Sequence, residues 1–144
     1  MADEANKLVS ILVPALNEEE NVERCYNAIV EVFEGLSEYD YEIIVTDNHS
    51  TDRTFEILRE LASNDKRLKV IRFSRNFGYQ RSLLHAYKSA TGACSIQIDC
   101  DLQDPPALIP KMIDLWRLDH LVVYGIRRPL AGGLVVAALR RAFY

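Results

Sequence analysis

Hydrophobic and polar positions alternate along this chain in blocks typical of an α/β protein. Short, continuous apolar runs rich in β-branched residues predict buried parallel strands. Apolar residues at helical spacing between these runs predict amphipathic helices. The predicted strands are residues 8–13, 41–47, 68–73, 93–99 and 121–124.

Polar residues and glycines mark where the predicted helices begin and end. Asn17 and Glu20 have capping-box spacing ahead of the first helix, and Gly35 follows its last apolar position. Asp104 and Pro105 suit the N-cap and first position of the last helix. The other helices are predicted to start near residues 50–52 and to span 79–90. This alternation predicts one mostly parallel sheet with helices on both faces.

Polar segments follow four of the predicted strands. In parallel sheets ligands bind at the carboxyl ends of the strands, where such segments meet. We therefore expect one site at this edge of the sheet, built from residues 14–18, 47–48, 75–76 and 99–103.

Asp99 and Asp101 end the fourth predicted strand. Alternate residues of an extended segment point the same way, so both carboxylates can face one hard divalent cation. Cys100, between them, is predicted to face away. The alternative is that Asp99 and Asp101 are solvated loop acids and Asp104 only a helix cap, and their spacing alone favours neither.

Composition narrows the class of protein. The 144 residues suit one domain, and a formal net charge of −4 argues against general nucleic-acid binding. Three scattered cysteines suggest a reducing, cytosolic setting rather than a disulfide framework. The N-terminus lacks an apolar signal core, and the apolar run at 130–139 is too short to cross a bilayer. As given, the chain is predicted not to be an integral membrane protein.

Several motifs are missing where other functions would need them. No GxGxxG turn follows the first strand and no P-loop is present, which disfavours a dinucleotide oxidoreductase or an NTPase. A phosphoacceptor receiver would place a lone Asp after the third strand and a Lys after the fifth, but Ser74-Arg75 and Ile126-Arg127 stand there. The acids with Arg75 and Arg127 suit a phosphorylated ligand held through a divalent ion.

Five segments, taken in order, resemble family 2 glycosyltransferases of the GT-A type. The resemblance is greatest to the polyprenyl-phosphate branch, which includes dolichol-phosphate mannose synthases and undecaprenyl-phosphate glycosyltransferases. The segments are VPALNEE at 13–19, DNHSTDRT at 47–54, RNFG at 75–78, DCDLQDPP at 99–106 and VYGIR at 123–127.

This resemblance implies a Rossmann-like, nucleotide-sugar-binding GT-A domain and a role for each matched residue. It implies inverting, metal-dependent transfer of a hexose from a UDP- or GDP-sugar to polyprenyl phosphate. Asp99 would contact the donor, and Arg127 would hold phosphate, plausibly the acceptor's. Asp101 and Gln103 would hold Mg²⁺ or Mn²⁺. The nucleotide's base and ribose would lie against Pro14, Ala15, Glu18 and Asp47.

The chain departs from the family pattern in two places. The elbow after the second strand is commonly Asp-Asp-Gly-Ser in the family but is DNHS at 47–50 here, which weakens a role for its second position. The expected organisation is a polar tail at 1–7, a donor-binding domain at 8–127 and the start of a membrane-proximal segment at 128–144. The second departure is that the family's acceptor-side region would be missing.

Two hypotheses about function follow. The chain is either a transferase on the cytoplasmic face of a membrane, with peripheral contact, or a truncated, catalytically weak nucleotide-sugar-binding module.

Overall fold

The computed structural model describes residues 7–126, in which strands and helices alternate. The strands are β1 (Leu8–Ala15), β2 (Asp40–Asp47), β3 (Leu68–Arg72) and β4 (Cys94–Gln97). The α-helices are α1 (Val22–Glu34), α2 (Thr54–Asn64), α3 (Tyr79–Ser89) and α4 (Ile109–Arg117), the last preceded by a 3-10 turn at Pro106–Leu108. No helix within residues 7–126 is long and apolar enough to cross a membrane.

The strands form one parallel sheet in the order β3-β2-β1-β4, which confirms the predicted architecture. β1 and β2 pair along their full length, from Leu8 opposite Asp40 to Ala15 opposite Asp47. The chain builds outward from β1 to β3 and then returns to place β4 on the other side of β1. The gap between the ends of β1 and β4 is therefore the topological switch point, where open α/β sheets bind ligands.

Helices cover both faces of the sheet, but unequally. Alternate residues of β1, among them Val9, Ile11 and Val13, share a buried cluster with apolar residues of α1, α2 and α4. Leu12 of β1 faces the other way and packs with Ile44 and with Ala86 of α3. Since strand side chains alternate between faces, β1 is buried on both sides, as its uninterrupted apolar run predicted.

Two predicted helix starts were wrong. Asn17 has a positive φ of 56° and lies outside the helix, and α1 begins only at Val22. The capping box from Asn17 to Glu20 is therefore not formed. At the last helix, Pro105 precedes the 3-10 turn and α4 starts at Ile109 without a side-chain cap, so Asp104 is not its N-cap.

The predicted fifth strand was also wrong for the residues that the structure describes. Residues 121–126 form no strand, and the side chains of Leu121 and Val122 are 94% and 81% exposed. Their apolar pattern would suit a strand, but a strand forms only with a hydrogen-bonding partner. Within residues 7–126, β4 pairs with β1 alone, so its outer edge carries no strand.

A buried carboxylate ties the amino ends of the strands together, away from the switch point. One oxygen of Glu42 accepts hydrogen bonds from the Ser10 hydroxyl and from the N–H and hydroxyl of Thr91, and the other pairs with Lys69. The chain passes so close here that a Cβ on Gly92 would lie 2.6 Å from the Leu8 carbonyl oxygen. Burial alone would raise the pKa of Glu42, but its donors lower it to about 2.

This lowered pKa predicts a stability that depends on pH. A carboxylate whose pKa falls on folding stabilises the native state above its unfolded pKa, near 4.5, and that contribution disappears as the pH falls towards 2. We expect Glu42→Gln to lower the free energy of unfolding at pH 7 by up to roughly 3 kcal/mol. The difference from wild type should shrink towards pH 2. Urea unfolding at several pH values measures this difference in the free energy of unfolding. A difference that does not depend on pH would contradict the lowered pKa of Glu42.

Candidate functional site

A cleft of about 360 Å³ lies at the carboxyl ends of the strands, at the switch point between β1 and β4. It is lined by residues from four segments that are far apart in the sequence, so the predicted convergence of polar segments is confirmed. The lining residues are Pro14, Ala15, Leu16, Glu18, Asn48, Asn76, Gly78, Tyr79, Ser82, Asp99, Cys100 and Asp101.

The two carboxylates after β4 both line this cleft, and each already has one partner. The Tyr79 hydroxyl donates to Asp99 Oδ1 over 2.9 Å. The backbone N–H of Gln103 donates to Asp101 Oδ1 over 3.0 Å, across a turn in which Leu102 has a φ of 59°. In each carboxylate, therefore, the second oxygen takes no part in these two bonds.

Cys100, between the two acids, faces the core as predicted. It is 3% exposed and shares the buried cluster with Cys25 of α1. A hydrogen bond with the Cys25 thiol, together with burial, raises the pKa of Cys100 far above its ordinary value. A thiol held neutral in this way is a packing group rather than a nucleophile. Cys100 thus anchors the acidic loop to α1.

The loops after β1 and β2 are joined by hydrogen bonds in both directions. The N–H of Asn17 donates to Ser50 Oγ, and Asn17 Oδ1 accepts from the N–H of Thr51. The N–H of Glu18 donates to Thr54 Oγ1 over 2.7 Å. These bonds explain the positive φ of Asn17, since its backbone serves the neighbouring loop rather than a helix. They fix Pro14, Ala15 and Glu18 as one wall of the cleft.

Asp52 braces the same pair of loops. Its Oδ1 accepts from the N–H and hydroxyl of Thr54, and its Oδ2 accepts from the N–H of Glu19. Burial raises the pKa of Asp52, but these donors outweigh that effect and lower it overall. Asp52 is thus occupied with holding the wall.

Asp47 lies behind the cleft rather than in its lining. It is fully buried, its Oδ1 accepts from the N–H of Ser50 over 3.0 Å, and its Oδ2 lies 3.4 Å from Arg72 Nε. Oδ2 is buried without a hydrogen bond. In this arrangement Asp47 holds the turn after β2, so any effect on a ligand would pass through that turn.

Asn48 has a defined role that the sequence did not indicate. Its side chain is 4% exposed, donates through Nδ2 to Asn76 Oδ1 over 2.8 Å and accepts at Oδ1 from the N–H of Phe77. Asn76 Oδ1 also accepts from the N–H of Gly78. Asn48 therefore connects the end of β2 to the loop that precedes α3.

Tyr79 is a second residue that sequence reasoning missed. It is the first residue of α3, and its hydroxyl joins Asp99 and Gln97 of β4. Burial and the neighbouring Asp99 carboxylate raise the pKa of Tyr79 to about 12, so the hydroxyl keeps its proton at neutral pH. No local sequence signal joins position 79 to position 99, because the contact depends on the crossover that places β4 beside β1.

The remaining predicted site residues fall outside this lining. Gln103 is exposed and contributes its backbone N–H to Asp101. Arg127 lies outside the described residues. Among residues 7–126, no group of three or more His, Cys, Asp or Glu side chains is arranged to hold a metal ion. A cation at Asp99 and Asp101 would therefore need further oxygen ligands, such as the side-chain oxygen of Gln103 or those of a bound ligand.

A larger cleft of about 760 Å³ runs along the outer edge of β4. It is lined by Cys94–Gln97, by Met112 and Trp116 of α4, and by residues 121–125. Asp104 is its one acidic lining residue, whereas Glu18, Asp99 and Asp101 line the smaller cleft. The chemistry of the lining, rather than the volume, identifies the smaller cleft as the candidate site.

Comparison with known proteins identifies the family of this chain. Residues 10–139 match glycosyl transferase family 2. The chain is 40% identical over 119 residues to a dolichol-phosphate mannosyltransferase from Pyrococcus furiosus, covering 83% of this chain and 33% of that protein. It is 39% identical over 109 residues to a prophage bactoprenol glucosyl transferase homolog from Escherichia coli K12, covering 76% and 35%.

A solved structure shows the same fold. The Pyrobaculum calidifontis mannosyltransferase PcManGT, in complex with GDP-Man and Mn²⁺, superposes with a TM-score of 0.70 at 25% identity, covering 90% of this chain and 38% of that one. The chain spans about a third to two fifths of the length of the curated relatives it matches.

Proposed function

The chain belongs to glycosyl transferase family 2, and from that premise we propose that its cleft binds a nucleotide diphosphate sugar for transfer of the hexose to polyprenyl phosphate. The observation that carries this proposal is the meeting of Asp99 and Asp101 with the wall Pro14–Glu18 in one cleft at the switch point. The Pyrobaculum relative was solved with GDP-Man and Mn²⁺, which supports both the class of donor and the use of a divalent ion.

On this proposal each wall of the cleft has its own task. Pro14, Ala15 and Glu18 contact the nucleotide's base and ribose, and Asp47 supports them by holding the turn after β2. Asp99 contacts the donor. Asp101 and Gln103 hold Mg²⁺ or Mn²⁺ beside the diphosphate.

The residues present fit a hard divalent cation. Carboxylate and amide oxygens are its preferred ligands, and Asp101 is exposed at the mouth of the cleft. Because residues 7–126 offer no group of three or more His, Cys, Asp or Glu side chains for a metal, further oxygens from Gln103, the diphosphate or water would complete the coordination. When bound, the cation neutralises charge on the diphosphate and so stabilises it as a leaving group.

The acceptor we propose is a polyprenyl phosphate, as the names of the Pyrococcus and Escherichia coli relatives suggest. A phosphate oxygen is already ionised at neutral pH, so it can attack the anomeric carbon without a strong general base. A bond forms from that oxygen to the sugar carbon while the bond to the diphosphate oxygen breaks, which inverts the configuration. Positioning and leaving-group stabilisation then supply the rate. Arg127 is proposed to hold phosphate on the acceptor side.

A second candidate function is a nucleotide-sugar-binding module without turnover. It is favoured by the cleft itself, since the five lining residues to which a task is assigned, Pro14, Ala15, Glu18, Asp99 and Asp101, are all assigned to the donor or its cation. Both candidates place the protein in the cytoplasm or on the cytoplasmic face of a membrane with peripheral contact.

A transfer assay separates the two candidates. The chain is incubated with radiolabelled UDP-glucose or GDP-mannose, Mn²⁺ and undecaprenyl or dolichyl phosphate in detergent, and label in the lipid phase is counted. The transferase proposal predicts labelled lipid that disappears with EDTA. Metal-dependent donor binding without labelled lipid would support the module instead.

A further inference from the structure

Tyr79 joins the two sides of the switch point through a single hydroxyl group. It stands at the start of α3, half exposed in the cleft, while its hydroxyl donates to Asp99 Oδ1 and accepts from the side-chain amide of Gln97. Both partners belong to the end of β4 or the residues just after it. Tyr79 thus connects a helix on one face of the sheet to the acidic loop at its edge.

The backbone before Tyr79 is also held by hydrogen bonds. Gly78 has a φ of 86°, which favours glycine, and its N–H donates to Asn76 Oδ1. Asn76 is in turn bonded to buried Asn48. The position of the Tyr79 ring therefore depends on a chain of hydrogen bonds that begins at the end of β2.

Asp99 needs such support because Asp101 carries a like charge in the same cleft. Two neighbouring carboxylates repel and would turn apart in the free protein. A hydrogen bond to one oxygen of Asp99 opposes that rotation, and it leaves the second oxygen for a ligand. Holding a binding group in place before the ligand arrives reduces the entropy lost on binding.

We propose that Tyr79 is a positioning residue for the donor, acting through Asp99. This inference rests on the proposed function and deepens it, because Tyr79 touches the carboxylate assigned to the donor. The hydroxyl contributes only when a cation has neutralised the acids and diphosphate. Without the cation, a well-placed carboxylate repels the diphosphate and gives no gain in affinity.

Tyr79→Phe removes the hydroxyl and keeps the ring. We expect the Kd of the donor to rise by up to about tenfold in Mn²⁺, because Asp99, no longer held by Tyr79, must then be immobilised when the donor binds. In EDTA the Kd of the donor should stay the same as that of the wild type. Because Tyr79 is 49% exposed, the melting temperature of the variant should differ little from that of the wild type.

Tyr87→Phe is the matched control, since Tyr87 lies on the same helix at 46% exposure and does not line the cleft. Calorimetric titration of UDP-glucose and GDP-mannose into the full chain compares each variant with the wild type, both in Mn²⁺ and in EDTA. An unchanged Kd in Mn²⁺, or an equal rise with and without Mn²⁺, would overturn the role of Tyr79 while leaving donor binding intact. If the wild-type chain itself shows no Mn²⁺-dependent binding, the proposed function fails as well.

Discussion

Asp101→Asn is expected to remove most of the metal-dependent affinity for a nucleotide sugar while leaving the fold intact. Asparagine keeps an oxygen that can accept from the N–H of Gln103, so the turn that Asp101 closes is preserved. The negative charge is lost, and a neutral amide oxygen attracts a divalent cation less strongly than a carboxylate oxygen does. We expect the Kd in Mn²⁺ to rise by about tenfold or more, equivalent to roughly 1.4 kcal/mol or more.

Asp114→Asn is the control for the change in charge. Asp114 is an exposed residue of α4 and does not line the cleft. Calorimetry should show wild-type affinity for this control and wild-type melting temperatures for both variants. If Asp101→Asn binds the donor as tightly as the wild type in Mn²⁺, Asp101 is not a metal ligand.

Asn48→Asp, which restores the acid more common in the family, is expected to destabilise this chain. The carboxylate would be buried, could not donate to Asn76 Oδ1 and would face that oxygen with like partial charge. Asn76 cannot simply turn its amide, because its oxygen also accepts from Gly78. We expect a loss of about 2–3 kcal/mol in the free energy of unfolding at pH 7.

The pH dependence of this loss identifies its cause. The N–H of Phe77 still donates to the introduced acid, but burial and the facing oxygen of Asn76 raise its pKa, so the penalty is full above the folded pKa and disappears below the unfolded pKa, about 4. Once protonated, the introduced carboxyl group could donate to Asn76 again. Asn64→Asp is the matched control, since exposed Asn64 also donates through Nδ2, to the Glu60 carbonyl. Urea unfolding at pH 4 and pH 7 measures both variants, and a penalty of equal size at the two values would contradict this explanation.

The architecture follows from the sequence because the central strands are buried on both faces. Most residues of β1 and the centre of β2, Ile43–Val45, are apolar and buried, and this appears in the sequence as short apolar runs. The amphipathic helices between them leave few topologies open. This is why the parallel sheet, the helices on both faces and the converging strand ends could all be predicted.

Local boundaries were predicted less well because tertiary contacts overrode local signals. Asn17 has the chemistry of a helix cap, yet its side chain bonds Thr51 of another loop. Residues 121–124 have a strand's composition but no neighbouring strand within the described residues. In each case the deciding partner lies far away in the sequence.

The residues of the site also divide into those that the sequence pattern predicted and those that it missed. Pro14, Ala15, Glu18, Asp99 and Asp101 lie at the ends of strands or shortly after them, so the sequence pattern predicted that they share one edge, and the structure places all five in the cleft. The supporting residues could not be found in this way. Asn48 acts through Asn76, and Tyr79 acts on Asp99, across separations of 28 and 20 residues.

Donor binding at the acidic cleft is tested most directly by calorimetric titration of the 144-residue chain with UDP-glucose and GDP-mannose, in Mn²⁺ and in EDTA. We expect binding of one of these donors in Mn²⁺ and at least tenfold weaker binding in EDTA, since two carboxylates beside a diphosphate repel it without a cation. Equal affinity under the two conditions, or no binding of either donor in Mn²⁺, would contradict this expectation.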